Sequence, residues 1–263
     1  MKALVTGVAG QLGHDVMNEL AKRGFEGVGS DLAPEYAGMQ DGTAVTTMPY
    51  LSMDITDPES VRNTIIASGA DAVIHCAAWT AVDKAEEMPE ACRKVNAYGT
   101  ENIAKVCEEL DLPMMYFSTD YVFNGNGTRP WEPDDERQPL NVYGQTKYEG
   151  ELVVENTLDK FFIVRIAWVF GVNGKNFIKT MLNLGKTRDS LTVVNDQFGS
   201  PTYTYDLAKL CVDMIQTNKY GTYHATNEGF CSWYEFACEI FKEAGMTEVS
   251  VTPVDSTAFP VKA

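Results

Sequence analysis

Short apolar runs alternate with segments of helical hydrophobic period along most of the chain. Ala3 to Thr6 is a compact strand-like run that ends in glycines. Leu12, Val16 and Leu20 follow at the spacing of one helix face, and Lys22-Arg23-Gly24 supplies the cations and glycine of a helix stop. A second run around Val28 ends at Ser30-Asp31. Asp57-Pro58 reads as an N-cap with proline at the first helical position, opening a helix through Ile66. Ala72-Val73-Ile74 begins another strand, Glu90 to Leu110 is a long helix, and Met114 to Ser118 is a strand. The Tyr143 region begins a helix and Phe161 to Val169 is again a buried strand.

Strands alternating with helices predict an α/β fold, a doubly wound parallel sheet of the Rossmann kind, over residues 1–170. After Gly171 the order loosens. Helical segments at Phe177–Leu184, Tyr205–Gln216 and Trp233–Ala244 are separated by short strands such as Leu191–Val194 and Thr222–His224. Residues 171–263 therefore read as a smaller C-terminal α/β lobe. No Gly/Ser linker separates the two, so they are expected to interleave and pack as one unit.

Composition narrows the function classes. The net charge of −16 argues against nucleic acid, whose phosphates require a basic surface. No apolar run approaches the roughly 20 residues of a membrane span, and "MKALVTG" is too short an apolar start for a signal peptide. The six cysteines stand singly, without a Cys-x-x-Cys, which fits reduced thiols in a cytoplasmic protein better than a disulfide framework or zinc site. His14, His75 and His224 are scattered and form no metal-ligand pattern, so no metal site is predicted.

The first strand-to-helix turn carries candidate chemistry. Gly7, Gly10 and Gly13 are spaced three apart in Gly7-Val8-Ala9-Gly10-Gln11-Leu12-Gly13. A pyrophosphate site needs such a turn: a tight bend, a bare backbone and a helix N-terminus aimed at the phosphates. Asp31 follows at the end of the second strand, where a carboxylate accepts hydrogen bonds from an adenosine ribose and repels a 2′-phosphate, favouring NADH over NADPH. Further on, "NVYGQTK" places Tyr143 and Lys147 four residues apart, on one helix face. Alone that pair is a common coincidence; beside a dinucleotide loop it suggests a phenol placed to move protons. A neighbouring ammonium favours the phenolate and lowers an acidity that normally sits near ~10.

The combination resembles the extended short-chain dehydrogenase/reductases. "AAWTAVDKAE" (Ala77–Glu86), "STDYVFNG" (Ser118–Gly125), "PLNVYGQTK" (Pro139–Lys147), "VRIAWVFG" (Val164–Gly171), "NFIKTML" (Asn176–Leu182) and "VVNDQFGSPT" (Val193–Thr202) are together similar to the dTDP-4-dehydrorhamnose reductase family, in its order and spacing. The resemblance implies reduction of the C4 ketone of dTDP-6-deoxy-L-lyxo-4-hexulose to dTDP-L-rhamnose, with NADH or NADPH as cofactor. It implies Tyr143, Lys147 and Thr119 as catalytic residues, with Ser118 the rival of Thr119 on the residues alone. Gly7, Gly10, Gln11, Leu12 and Gly13 would hold the pyrophosphate and Asp31 the ribose. Asp54-Ile55 would meet the adenine, and Ala77, Ala78 and Trp79 would let the cofactor pass. Asp120, Tyr121, Phe123 and Trp168 would border the sugar nucleotide, with Asn176 and Gln197 at its nucleotide end; for Phe123 and Trp168, core packing is the competing reading. Some members use magnesium between subunits, and the resemblance allows a homodimer. The family pattern continues past "DSTAFPVKA" with an Arg-Pro-x-Asn-Ser segment and a helix.

Two other readings stay open. One is a different sugar-nucleotide reductase, epimerase or dehydratase of the same superfamily, although dehydratases carry an Asp-Glu pair where this chain has Asp120-Tyr121. The other is a non-catalytic NADP-binding regulatory subunit like the β subunit of methionine adenosyltransferase.

Overall fold

The computed structural model describes residues 1–127 and 129–259. Its elements run β1 (Lys2–Thr6), α1 (Gln11–Lys22), β2 (Glu26–Asp31), β3 (Tyr50–Ser52), α2 (Pro58–Ser68), β4 (Ala72–His75), α3 (Val82–Glu87), α4 (Pro89–Arg93), α5 (Gly99–Glu109), β5 (Met114–Thr119), α6 (Val142–Thr157) and β6 (Phe161–Ile166). Then come β7 (Val169–Phe170), α7 (Phe177–Gly185), β8 (Ser190–Val194), β9 (Phe198–Gly199), β10 (Thr202–Tyr203), α8 (Thr204–Met214), β11 (Gly221–His224), β12 (Cys231–Ser232), α9 (Trp233–Glu243) and β13 (Ser250–Val254).

Seven strands form one parallel sheet in the order β11-β6-β5-β4-β1-β2-β3. Both faces are covered, so the central strands are mostly apolar and successive side chains enter opposite cores. Ala3 and Val5 of β1 join Val16, Leu20, Ala208 and Val212 under α1 and α8. Leu4 joins Val61, Ile65, Ile103 and Val154 under α2, α5 and α6. A third, smaller core gathers Met181, Leu191, Val193, Ala237, Ile240 and Phe241 between α7, α9 and the β8–β13 pair. The chain after residue 171 does not stay with that small core: β11 extends the main sheet beside β6, and α8 packs on α1.

Two sequence expectations need adjustment. The helix expected over Glu90–Leu110 contains a π-helical stretch, Lys94–Tyr98, between α4 and α5. The strand expected over Phe161–Val169 breaks into β6 and β7 because Trp168 adopts φ 48°, a left-handed conformation that is unfavourable for a bulky side chain. Among the described residues no helix is long and apolar enough to cross a membrane.

Candidate active site

The strand order reverses between β1 and β4, and the crevice beyond their carboxyl ends is where such sheets bind ligands. A cavity of about 920 Å³ opens there. That is at the upper end for a small-molecule site.

The glycine loop forms one wall. Gly7 has φ 68°. Gly13 is required by close approach, since a Cβ there would lie 2.4 Å from the Gly7 carbonyl oxygen. Gly10 is the N-cap of α1, with no side-chain cap and no acid in the first turn. The positive end of the helix is thus left open toward the cavity. Asp31 accepts from the Ala9 N–H at 3.1 Å and from the Leu32 N–H at 2.8 Å, which holds its carboxylate at the loop. Beside it the Ser30 hydroxyl is buried and, among the described residues, has no hydrogen-bond partner. An open helix end, a bare turn and a carboxylate lining the cavity beside the loop fit a dinucleotide.

The opposite wall comes from β5 and α6. Asn141 caps α6 by accepting from the Gly144 N–H at 2.8 Å, which fixes where the helix starts. Gly144 lets that start press on the turn after β5, where a Cβ would be 2.2 Å from the Tyr121 carbonyl oxygen. Tyr143 is thereby brought to the end of β5, beside the Thr119 hydroxyl. Tyr121 meets the Tyr143 ring edge-on at 5.6 Å. Thr119 also donates to Asp120 at 3.0 Å and accepts from the Tyr121 N–H at 3.2 Å. Ser118 is buried behind it, although it too borders the cavity.

Lys147 is 3% exposed, and its ammonium lies 4.1 Å from the centre of the Tyr116 ring. Burial lowers it to about 7, opposed by the Glu151 carboxylate one turn on. Burial also pushes the Tyr143 phenol well above its ordinary value, with Thr119 pulling the other way. Burial is the largest influence on the Tyr143 phenol, so desolvation outweighs the priming by lysine expected from spacing. Asp120 is likewise raised by burial.

Gly7, Gly10, Gln11, Leu12, Gly13, Asp31, Asp54, Ile55, Ala77, Ala78, Thr119, Asp120, Tyr121, Tyr143, Lys147 and Trp168 all line this one cavity. Four expected residues do not. The Trp79 indole turns away, donating to the Ala81 carbonyl at 3.1 Å under the Lys84 ammonium. Phe123 is 3% exposed and stacks on Trp131, as its core-packing reading anticipates. Asn176 caps α7, accepting from the Lys179 N–H and donating to Gln11 and the Gly171 carbonyl. Gln197 is an exposed residue between β8 and β9.

Other residues lay outside the sequence reading. Trp233 stacks on Trp168 with centroids 3.4 Å apart, and with Phe170, Phe177 and Phe236 it forms an aromatic wall. The i, i+3 pair Trp233 and Phe236 at a capped helix start was the available signal. Asn96, in the π-helical stretch, accepts from the Trp79 N–H at 2.8 Å and donates to Thr146 at 3.1 Å, tying the loop after β4 to α6. Among the described residues no group of three or more His, Cys, Asp or Glu side chains is placed to hold a metal ion.

A parallel sheet with its dinucleotide loop at the switch point, and a threonine, tyrosine and lysine across the crevice, defines an extended short-chain dehydrogenase/reductase. The family model described as RmlD substrate binding domain matches residues 1–263. The dTDP-4-dehydrorhamnose reductase of Escherichia coli (strain K12) is 37% identical over 273 residues, covering the whole chain and 86% of the relative. A crystal structure of a dTDP-4-dehydrorhamnose reductase from Clostridium acetobutylicum ATCC 824 superposes with a TM-score of 0.90 at 42% identity, covering all of this chain and 87% of that one. That of Bacillus anthracis str. Ames, in complex with NADP, gives 0.90 at 37% identity, covering all of this chain and 86% of that one. The chain belongs to the dTDP-4-dehydrorhamnose reductase family.

Proposed function

We propose that the chain reduces the C4 ketone of dTDP-4-dehydro-6-deoxy-L-mannose (dTDP-6-deoxy-L-lyxo-4-hexulose) to dTDP-L-rhamnose, using NADH or NADPH. The observation that carries this is the meeting of Thr119, Tyr143 and Lys147 with the glycine loop in a single open crevice. A bound nicotinamide dinucleotide supplies the hydride. The protein has to supply a proton to the alkoxide that forms at C4, and Tyr143 is placed to do so. Its burial keeps the phenol protonated at neutral pH, as an acid must be before it acts. The Thr119 hydroxyl, which donates to Asp120 in the free protein, would turn its proton to the phenolate left behind and stabilise it. Lys147, dry and one helical turn away, would hold the nicotinamide ribose and offer positive charge on the same face.

Trp168 and the aromatic wall behind it would bound the sugar nucleotide, with Asp120 and Tyr121 at the hexose. Asn176 and Gln197 have no place in this reading, because the first is engaged as a cap and the second lies off the cavity. A reducing cytoplasm suits the reading, and all six cysteines are free thiols.

The test is NAD(P)H oxidation with dTDP-4-dehydro-6-deoxy-L-mannose, with dTDP-4-keto-6-deoxy-D-glucose as the competing substrate, wild type beside Tyr143→Phe. A relative from Streptomyces niveus, 36% identical, is named for reduction of that second sugar. Removing the hydroxyl should lower turnover by roughly 10²–10⁴-fold, the usual worth of a positioned acid, while cofactor binding persists. Undiminished turnover in Tyr143→Phe would overturn the assignment.

A further inference from the structure

Among the described residues, Lys147 and Lys175 are the only lysines or arginines lining the crevice. Lys147 is buried at the tyrosine end. Lys175 is exposed and, among the described residues, has no acidic partner. Three acids, Asp31, Asp54 and Asp120, line the same cavity in a chain of net charge −16. A diphosphate entering it meets an unfavourable field unless a cation stands close.

The segment around Lys175 is held against the glycine loop from both sides. Asn173 is 5% exposed and donates to the Ala9 carbonyl at 2.9 Å and the Gly10 carbonyl at 3.0 Å. Its own oxygen accepts from the Met39 N–H at 3.3 Å and the Gly174 N–H at 3.0 Å. On the other side Asn176 donates to the Gln11 side chain at 2.9 Å. Between these two fastenings the chain passes so near α1 that a Cβ on Gly174 would lie 3.1 Å from Gln11 Cγ and 3.9 Å from the Gln11 nitrogen. The Gly10 carbonyl held by Asn173 belongs to the peptide whose N–H is that of Gln11. In a trans peptide the two groups point oppositely, so the Gln11 N–H is turned away from the asparagine. Lys175 thus rises from a fixed base beside the uncapped end of α1.

We propose that Lys175 is a diphosphate-binding residue: its ammonium neutralises the pyrophosphate of NAD(P)H opposite the N-terminus of α1, making the C-terminal part of the chain one wall of the cofactor site. Asn173 is the positioning residue that fixes this wall to the glycine loop. The proposal rests on the reading that the crevice takes NAD(P)H, and it assigns the lysine to the cofactor because its neighbours touch Gln11.

Equilibrium binding of NADPH, ADP and adenosine, with no sugar nucleotide present, and of dTDP alone as a control, tests it on wild type, Lys175→Gln and Lys175→Arg. Loss of a charge-assisted contact should raise the dissociation constants of NADPH and ADP roughly tenfold in Lys175→Gln and flatten their salt dependence. Adenosine, which lacks the diphosphate, should bind as in wild type, and Lys175→Arg should stay near wild type for all three. Wild-type NADPH and ADP affinity in Lys175→Gln would overturn the proposal while leaving the reductase reading intact. So would an equal loss of adenosine, which would mean a disturbed fold, or a loss confined to dTDP, which would assign the lysine to the sugar nucleotide. Wild-type protein that fails to bind NADPH would overturn the reading beneath it as well.

Discussion

Glu151→Gln removes the charge that balances a cation buried almost completely in the fold. Arg165 is 2% exposed and donates through Nε and Nη2 to the two Glu151 oxygens at 2.8 and 2.9 Å. Its Nη1 donates to the Pro133 carbonyl at 2.9 Å, and the Phe123 ring covers it at 5.0 Å. Arg137 also donates to Glu151, at 2.9 Å, but keeps Glu155 at 2.8 Å when Glu151 is neutral. The loss therefore falls mainly on Arg165. Breaking one side of a buried pair costs about 3–5 kcal/mol. In a chain of this size that lowers the melting temperature by about 6–20 °C. Burial by itself would raise the Glu151 carboxyl, but the two guanidiniums outweigh it and hold it below its ordinary value. A depressed carboxylate confers stability that is complete above its unfolded value of ~4.3 and is lost as pH falls through the folded one. Calorimetry should therefore find the full gap between wild type and Glu151→Gln at pH 7, and a narrower gap in acid. The double change Glu151→Leu with Arg165→Met, which removes both charges, should recover most of the loss. A single variant that melts within about 2 °C of wild type at pH 7, or a gap that widens in acid, refutes the reasoning.

Lys147, held at about 7 by burial, should show a side-chain 13Cε resonance that titrates near neutrality in the free protein, whereas a midpoint above 10 would contradict its desolvation. Because the unfolded chain keeps that proton up to about 10.4, this lysine makes stability rise with pH between about 7 and 10.4. Gly13→Ala should abolish measurable NADPH binding and lower the melting temperature, because the new methyl meets the Gly7 backbone at 2.4 Å and neither side can move independently. Retained affinity in a titration of that variant would show that the loop has room the geometry denies.

The parts of this fold that were legible in the sequence are those set by local rules. Strand and helix alternation, the Asp57 cap that accepts from the Glu59 N–H, and the Tyr143–Lys147 face all follow from periodicity and spacing over a few residues. What escaped is set by partners far away along the chain. Asn96 holds a π-helical stretch whose bonds reach Trp79 and Thr146, 17 and 50 residues off. Asn173 clasps carbonyls 163 and 164 residues away. Trp168 splits a strand that its apolar run would have continued, because its ring is stacked on Trp233 from another element. The candidate site was legible through its glycines, tyrosine and lysine. Phe123 and Asn176 looked like ligand residues because side-chain type does not reveal that an aromatic covers a buried arginine or that an amide caps a helix.

The electrostatics of the crevice divide the labour between the tyrosine and the lysine. Spacing alone suggests that the ammonium makes the phenol a stronger acid. In the structure, burial acts on both and moves each toward its uncharged form, up for Tyr143 and down for Lys147. The phenol then remains protonated throughout the neutral range, so its availability as a proton donor hardly changes with pH. The lysine changes charge near 7, and with it the positive potential on the shared face of α6. Lys147 therefore gives the free site a response to pH around neutrality with one direction: acidification adds positive charge on the face where, in the proposed reaction, a developing alkoxide and a phenolate would be stabilised.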